Sequence, residues 1–263
     1  MSQRWALLLQ YDGTEFAGSQ WQPNQLTVQG ALQSAIQSLT GCSVQVSMAG
    51  RTDAGVHAAG QVASFVTSRS AESMPAHRWI SGLNHFLPQS AAVQDAVPTN
   101  DAFDPRRDAL SRTYTYVLRV SNRRQPLWVR RAWIVPPPFD HEMARAALSI
   151  LVGDHDFAAF TPPTEARSTS RTLHEATLAI GDHSCHISVR ADSFLQHQVR
   201  RMVGAVVEVA RGRVGLEELM RQFERARPGS MGPTAPACGL SLTAVEYQPP
   251  LFDTHMFNHH HCP

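Results

Sequence analysis

The order of periodic segments in the first hundred residues constrains this chain most. Residues 4–11 (RWALLLQY) read as a largely apolar strand. Residues 26–41 (LTVQGALQSAIQSLTG) place Val28, Ala31, Leu32, Ala35, Ile36 and Leu39 on one face at helical spacing, with Thr27 as N-cap and Gly41 as stop. Residues 43–48 and 61–67 alternate with period two. Pro75 opens a second helix, AHRWISGLNHFL, that Pro88 ends, and 91–97 suit a further short strand. The order β-α-β-β-α-β is the split βαβ, or ferredoxin-like, pattern.

A similar order begins again near residue 109. Strands are expected over 110–120, 131–135, 172–180, 184–191 and 239–247, and helices over 140–152, 194–210 and 216–225. Segments 161–170 and 228–238, rich in proline and small polar residues, read as loops. The expected fold class is α+β: two ferredoxin-like halves with mostly antiparallel sheets and helices packed on one face. The halves are residues 1–105 and 106–250, followed by a tail, 251–263.

Composition excludes several classes. With 43% hydrophobic and 17% charged residues in 263, the chain is neither a long disordered tail nor an extended coiled coil. No apolar run approaches the roughly 18–20 residues of a membrane helix, and the apolar stretch near Met1 is too short for a signal peptide. Cys42, Cys185, Cys238 and Cys262 lie far apart, which argues against a zinc site or redox dithiol and fits a reduced, cytoplasmic protein. His183 and His186 fall on opposite faces of a strand, and His259, His260 and His261 sit beside Cys262 in the tail, so no metal site is expected. Net charge is only +1, with arginine for every basic residue and no lysine. Residues 106–131 nevertheless hold eight arginines against Asp108 alone, a local +7. Such a stretch suits either a phosphate-rich partner or a solvated hairpin tip.

Residues 49–58, AGRTDAGVHA, carry the most chemistry. Two glycines surround Arg51, Thr52, Asp53 and His57 between two strands. A carboxylate with a pKa near ~3.9 is ionised at neutral pH and can act as nucleophile or base. The plain alternative is that Asp53 caps a turn or pairs with Arg51. On residue types alone the alternative is the commoner fate.

The same stretch resembles the signature of the tRNA pseudouridine synthase A family, whose nucleophile is the Asp of that run. Other blocks agree in order: YDGTEFAG at 11–18, TVQGALQSAI, LNHFLP with Asn84, SRTYTYVL with Tyr114, DFAAF, SRTLHEA, and FLQHQVRRMVGAVVEV with Arg200. The resemblance runs from Trp5 to Tyr247. There are departures: the family's Gly-Trp-Gln is Gly18-Ser19-Gln20, its Phe-His-Ala-Arg is Phe103-Asp104-Pro105-Arg106, and its His-His is Gln196-His197.

The resemblance implies a pseudouridine synthase fold and an isomerase that converts uridine to pseudouridine at positions 38, 39 and 40 of the tRNA anticodon stem-loop. It implies a homodimer, tRNA as partner, and no cofactor or membrane. Asp53 would attack C1′ of the ribose or C6 of the base; both stay open. Tyr114 would stack on the flipped uracil, with its phenol helping to remove the C5 proton. Arg200 would pair with Asp53 and keep it ionised. Arg51 would help extrude the nucleotide, since flipping costs a few kcal/mol. Gln20, Asn84, Arg106, Arg107 and Arg112 are the expected substrate contacts, the arginines on phosphates. The competing reading is a non-catalytic RNA-binding protein of two RRM-like domains. A third, weak one is an aspartic hydrolase, with a single D-A-G.

Overall fold

Strand β1 (Arg4–Tyr11) is buried on both faces over residues 5–9, as its near-continuous apolar run requires. The computed structural model describes residues 3–67, 74–163, 168–181 and 184–252. Both edges of β1 are paired antiparallel, one with β3 (His57–Val66) and one with β4 (Ala91–Thr99). A two-residue β2 (Ser47–Met48) lies antiparallel on the other edge of β3. Helix α1 (Val28–Thr40) precedes β2, and α2 (Ala76–Phe86) links β3 to β4. The strand order β4-β1-β3-β2 is that of the split βαβ.

Local chemistry sets these limits. The Thr27 side chain accepts the Gly30 amide at 3.2 Å, and Gly41 ends α1 at φ 74°. Trp79 of α2 is fully buried against Trp5 and Phe65, with ring centroids 5.9 and 5.1 Å away. Each such side chain contributes roughly 1.5–3 kcal/mol by leaving water. The expected strand over 43–48 is shortened because α1 side chains take its backbone: Gln29 Nε2 donates to Val46 O at 2.9 Å. The Val46 amide donates to Gln33 Oε1 at 3.4 Å.

By their own contacts the described residues form two units, those up to 112 together with those from 241, and 113–240. The first unit is completed by β10 (Leu240–Glu246), which runs parallel to β3 with Ser241 opposite His57. Sequence reasoning assigned this strand to the second half. Tyr247 Oη donates to Pro105 O at 2.7 Å, and its ring meets Phe103 edge-on.

In the second unit β5 (Ser111–Val120), β9 (Cys185–Ala191), β8 (Ser170–Ile180) and β7 (Gly153–Asp156) lie in that order, with β6 (Trp133–Val135) parallel to the end of β5. Pairs β7–β8 and β8–β9 are antiparallel. Helix α3 (His141–Leu151) starts at Asp140, whose carboxylate accepts the Glu142 and Met143 amides. It packs on α4 (Gln198–Ala210), α5 (Leu216–Glu224) and β8. Helix α4 begins four residues later than expected, because His197 takes a left-handed φ of 61° and Gln198 Oε1 accepts the Leu195 amide. The α+β class with mostly antiparallel pairing stands. The expectation of no metal site at His183, the tail histidines and Cys262 concerns residues outside those described.

Candidate active site

The loop 49–56 between β2 and β3 is held by hydrogen bonds from outside it at Ala49, Gly50, Thr52 and Gly55. The Ala49 amide donates to Val62 O at 2.8 Å, and Gln61 Nε2 donates to Gly50 O at 2.9 Å. Thr52 is tied three ways. Its amide donates to Ser19 Oγ at 2.8 Å, its carbonyl accepts the Ser19 amide at 3.0 Å, and its hydroxyl lies 2.8 Å from Tyr11 Oη. The Val56 amide then closes a turn on Asp53 O at 3.1 Å. Gly18 sits at φ 95°, where a Cβ would fall 2.9 Å from Thr52 O, so only glycine lets the two loops approach.

This anchoring decides where the side chains go. Thr52 is buried, Arg51 is exposed and Asp53 is half-buried. Accessibility thus alternates across the three residues, with Thr52 enclosed between two more accessible neighbours. Both belong to the first unit, as do Gln20, Asn84, Arg106, Arg107 and Arg112. Gln20 is exposed beside the anchoring Ser19. Asn84 spends its amide on the backbone of Val93, donating to its carbonyl at 2.9 Å and accepting its amide at 2.7 Å. It therefore fastens α2 to β4.

Arg106 and Arg107 are exposed in a turn built by Asp104, whose Oδ1 accepts both their amides at 2.9 and 3.0 Å. Partial burial pushes the Asp104 carboxyl up, but the amides of Arg107 and Arg106 and the Arg107 charge outweigh it and hold it below its ordinary value. Arg112 is only 7% exposed, and its guanidinium donates to the carbonyls of Ala49, Arg106 and Ala109. A group so enclosed is a strut under the Asp53 loop and the arginine turn.

In the second unit, Tyr114 and Tyr116 share the buried face of β5. Tyr114 meets the edge of Phe194 at 5.3 Å, while Tyr116 is fully enclosed and donates to Pro236 O at 2.7 Å. Burial pushes the Tyr116 phenol far up, so it stays protonated. Arg200, in the first turns of α4, donates from Nε to Ala235 O at 2.8 Å, and the Ala235 amide returns to Arg200 O at 3.1 Å. At Gly204 a Cβ would lie 1.8 Å from Pro233 O, so glycine alone admits the 231–236 segment onto the helix.

Sequence reasoning missed Tyr11, Ser19 and Gln61 as supports of the loop. The available signal was Gln61, a polar residue in the run QVASFV that must be satisfied if the strand is buried.

Known proteins bear on the whole chain. A family model described as tRNA pseudouridine synthase matches residues 8–106 and 147–248. A protein from Chloroflexus aurantiacus named tRNA pseudouridine synthase A is 42% identical over 253 residues, covering 94% of this chain and 89% of that protein. Counterparts with the same name from Myxococcus xanthus and Pelobacter propionicus are 41% and 40% identical, covering 93% and 92% of this chain and 92% and 98% of theirs. Among solved structures, a chain of a Cbf5-Nop10-Gar1 complex aligns to 77% of this chain and 54% of its own length at 9% identity and a TM-score of 0.31, too loose a likeness to argue from. With a family model matched over most of its length and relatives near 40% identity across more than nine-tenths of it, this chain belongs to the tRNA pseudouridine synthase family.

Proposed function

We propose that this chain isomerises uridine to pseudouridine in the anticodon stem-loop of tRNA, at positions 38, 39 and 40, with Asp53 as nucleophile. The family match over both halves of the chain carries the reading. The loop fixed through the buried Thr52 beside Asp53 supports it.

The chemistry balances without an outside reactant. The Asp53 carboxylate bonds to C1′ or C6 and the N1–C1′ bond breaks. The uracil turns and C5 bonds to C1′; the Asp53 carboxylate leaves, displaced from C1′ as that bond forms or eliminated from C6 after it, and the C5 proton is lost while N1 takes one up. Preorganisation of the carboxylate removes an orientational cost that free groups would meet. Arg51, exposed two residues before Asp53, occupies the space of the extruded nucleotide, a role that rests on the family resemblance. Tyr114 as the stacking partner and Arg200 as the cation that keeps the nucleophile ionised rest on the family resemblance, as do Gln20 and Asn84 beside the RNA. The protein works as a cytoplasmic homodimer. No described helix is long and apolar enough to cross a membrane. A purely RNA-binding module is disfavoured, since the relatives are named as synthases.

The test is tritium release from C5-labelled uridine in tRNA, with no added cofactor and with the modified positions read by sequencing. Asp53→Asn should retain its melt and its tRNA affinity yet lose several orders of magnitude in rate. Tyr114→Phe should bind normally and turn over more slowly. Near-normal release by folded Asp53→Asn would end the nucleophile assignment, and a mass of one chain in solution would end the dimer.

A further inference from the structure

The connection from β5 to β6, residues 121–132, is internally braced and carries an apolar apex among arginines. The Ser121 amide donates to Val135 O at 2.9 Å, and the Arg123 amide to Ser121 Oγ at 3.0 Å. A single 3-10 turn, Pro126–Trp128, follows, and the amides of Arg131 and Ala132 both return to Trp128 O at 2.9 Å. From β5, Arg119 lays its guanidinium 4.3 Å over the Trp128 ring and donates to the Gln125 side chain. The cation–π stack fixes the turn. It also leaves Leu127 89% and Val129 64% exposed.

Along the chain, the charge flanking that apex is of one sign. Arg123, Arg124, Arg130 and Arg131 are all exposed, and the sequence has no Asp or Glu between Asp108 and Asp140. Lone exposed leucines need no explanation, but a braced turn that presents one between four arginines combines two recognition chemistries. Guanidinium groups suit phosphate oxygens, and apolar wedges are used to press against or between bases. A second copy of the same tip would bring like charges together, which disfavours the tip as a contact with itself.

We propose that this tip is a wedge for tRNA: Leu127 seats against a base or ribose face while Arg123 and Arg124 hold the flanking phosphates. The proposal rests on tRNA being the substrate and adds a contact made by the second unit. It separates into an apolar part, insensitive to salt, and an ionic part that is not.

The experiment is anisotropy of a labelled tRNA transcript titrated with the full chain from 50 to 200 mM salt, alongside light scattering and tritium release. Leu127→Ser should weaken binding about tenfold with an unchanged salt slope. The double variant Arg123→Ser, Arg124→Ser should flatten that slope by about 0.7–0.9 per phosphate released. Both changes are on the surface, so the melts should stay near wild type. Leu127→Ser binding as tightly as wild type overturns the wedge. So does a drop in particle mass on that substitution, which makes the apex a contact between copies, or a loss of binding to anionic lipid vesicles while tRNA affinity is kept. If the wild-type chain neither binds nor turns over tRNA, the functional reading fails instead.

Discussion

Thr52 is the residue through which the rest of the molecule fixes Asp53. Its hydroxyl meets Tyr11 Oη, and Tyr11 Oη in turn lies 3.5 Å from Gln61 Nε2 inside the sheet. Burial raises the Tyr11 phenol above its ordinary value, against the opposing hydrogen bonds from Thr52 and Gln61, so it remains a neutral hydroxyl. Tyr11→Phe keeps the ring and its edge contact with Phe16 but removes that link. The expected cost is about 1–2 kcal/mol of stability, with the rate of tritium release falling about tenfold and tRNA affinity unchanged. A variant with wild-type turnover would show that Ser19 and Gln61 hold the loop unaided. Asp104 permits a test by pH. Its folded carboxyl lies below its ordinary value, so its stabilisation is fully present above the unfolded value near ~4 and is lost as pH falls through the folded one. Melts of Asp104→Asn should therefore lie below wild type at pH 7 and converge with it as pH falls through the folded value; a gap that persists in strong acid would assign the effect to packing.

At the scale of elements, Arg112 ties the Asp53 loop to the turn at 106–109 through the carbonyls of Ala49, Arg106 and Ala109. Replacing a buried guanidinium that serves three carbonyls leaves those oxygens without donors, so Arg112→Met should cost about 2–4 kcal/mol. Lysine would not rescue it, because an ammonium lacks the planar fork. Arg112→Lys should also leave the salt slope of tRNA binding intact, unlike the changes at Arg123 and Arg124. A flattened slope would return Arg112 to the phosphates. This contrast marks how far the sequence could be read. Runs with a clear period and clear caps, such as Thr27 to Gly41 or Asp140 onward, were legible because helix ends need donors and acceptors of known types. Strand β7, GDHD, has no apolar alternation and exists through its ladder with residues 170–173, so nothing local announces it. The inward course of Arg112 was not legible for a related reason. A positive count along the chain says nothing about which guanidinium points inward, and only the carbonyls of Ala49, Arg106 and Ala109 identify this one.

The whole molecule is arranged so that the first unit is finished by the last described residues. The Asp53 loop could be recognised from nine residues, whereas the return of β10 could not, since parallel pairing between residues about 180 apart leaves no periodic trace. β10 shares the β3 edge that β2 covers only at residues 63–64. Glu246 accepts the Leu110 amide at 2.8 Å and the Ser111 hydroxyl at 2.6 Å, and Tyr247 covers Phe103. A fragment of residues 1–112 therefore lacks one neighbour of its longest strand and the lid over its 100–110 segment. Unpaired strand edges and exposed aromatic surface favour association over folding. That fragment should show no cooperative thermal transition and should aggregate. Joining residues 240–252 to its end through a flexible linker of about ten residues supplies the missing strand within the same chain. The fused form should regain a cooperative melt and slow amide exchange at Ala58 and its neighbours in β3. If residues 1–112 alone melt cooperatively near the temperature of the full chain, β10 is an accessory to the first sheet and the Asp53 loop is supported without it.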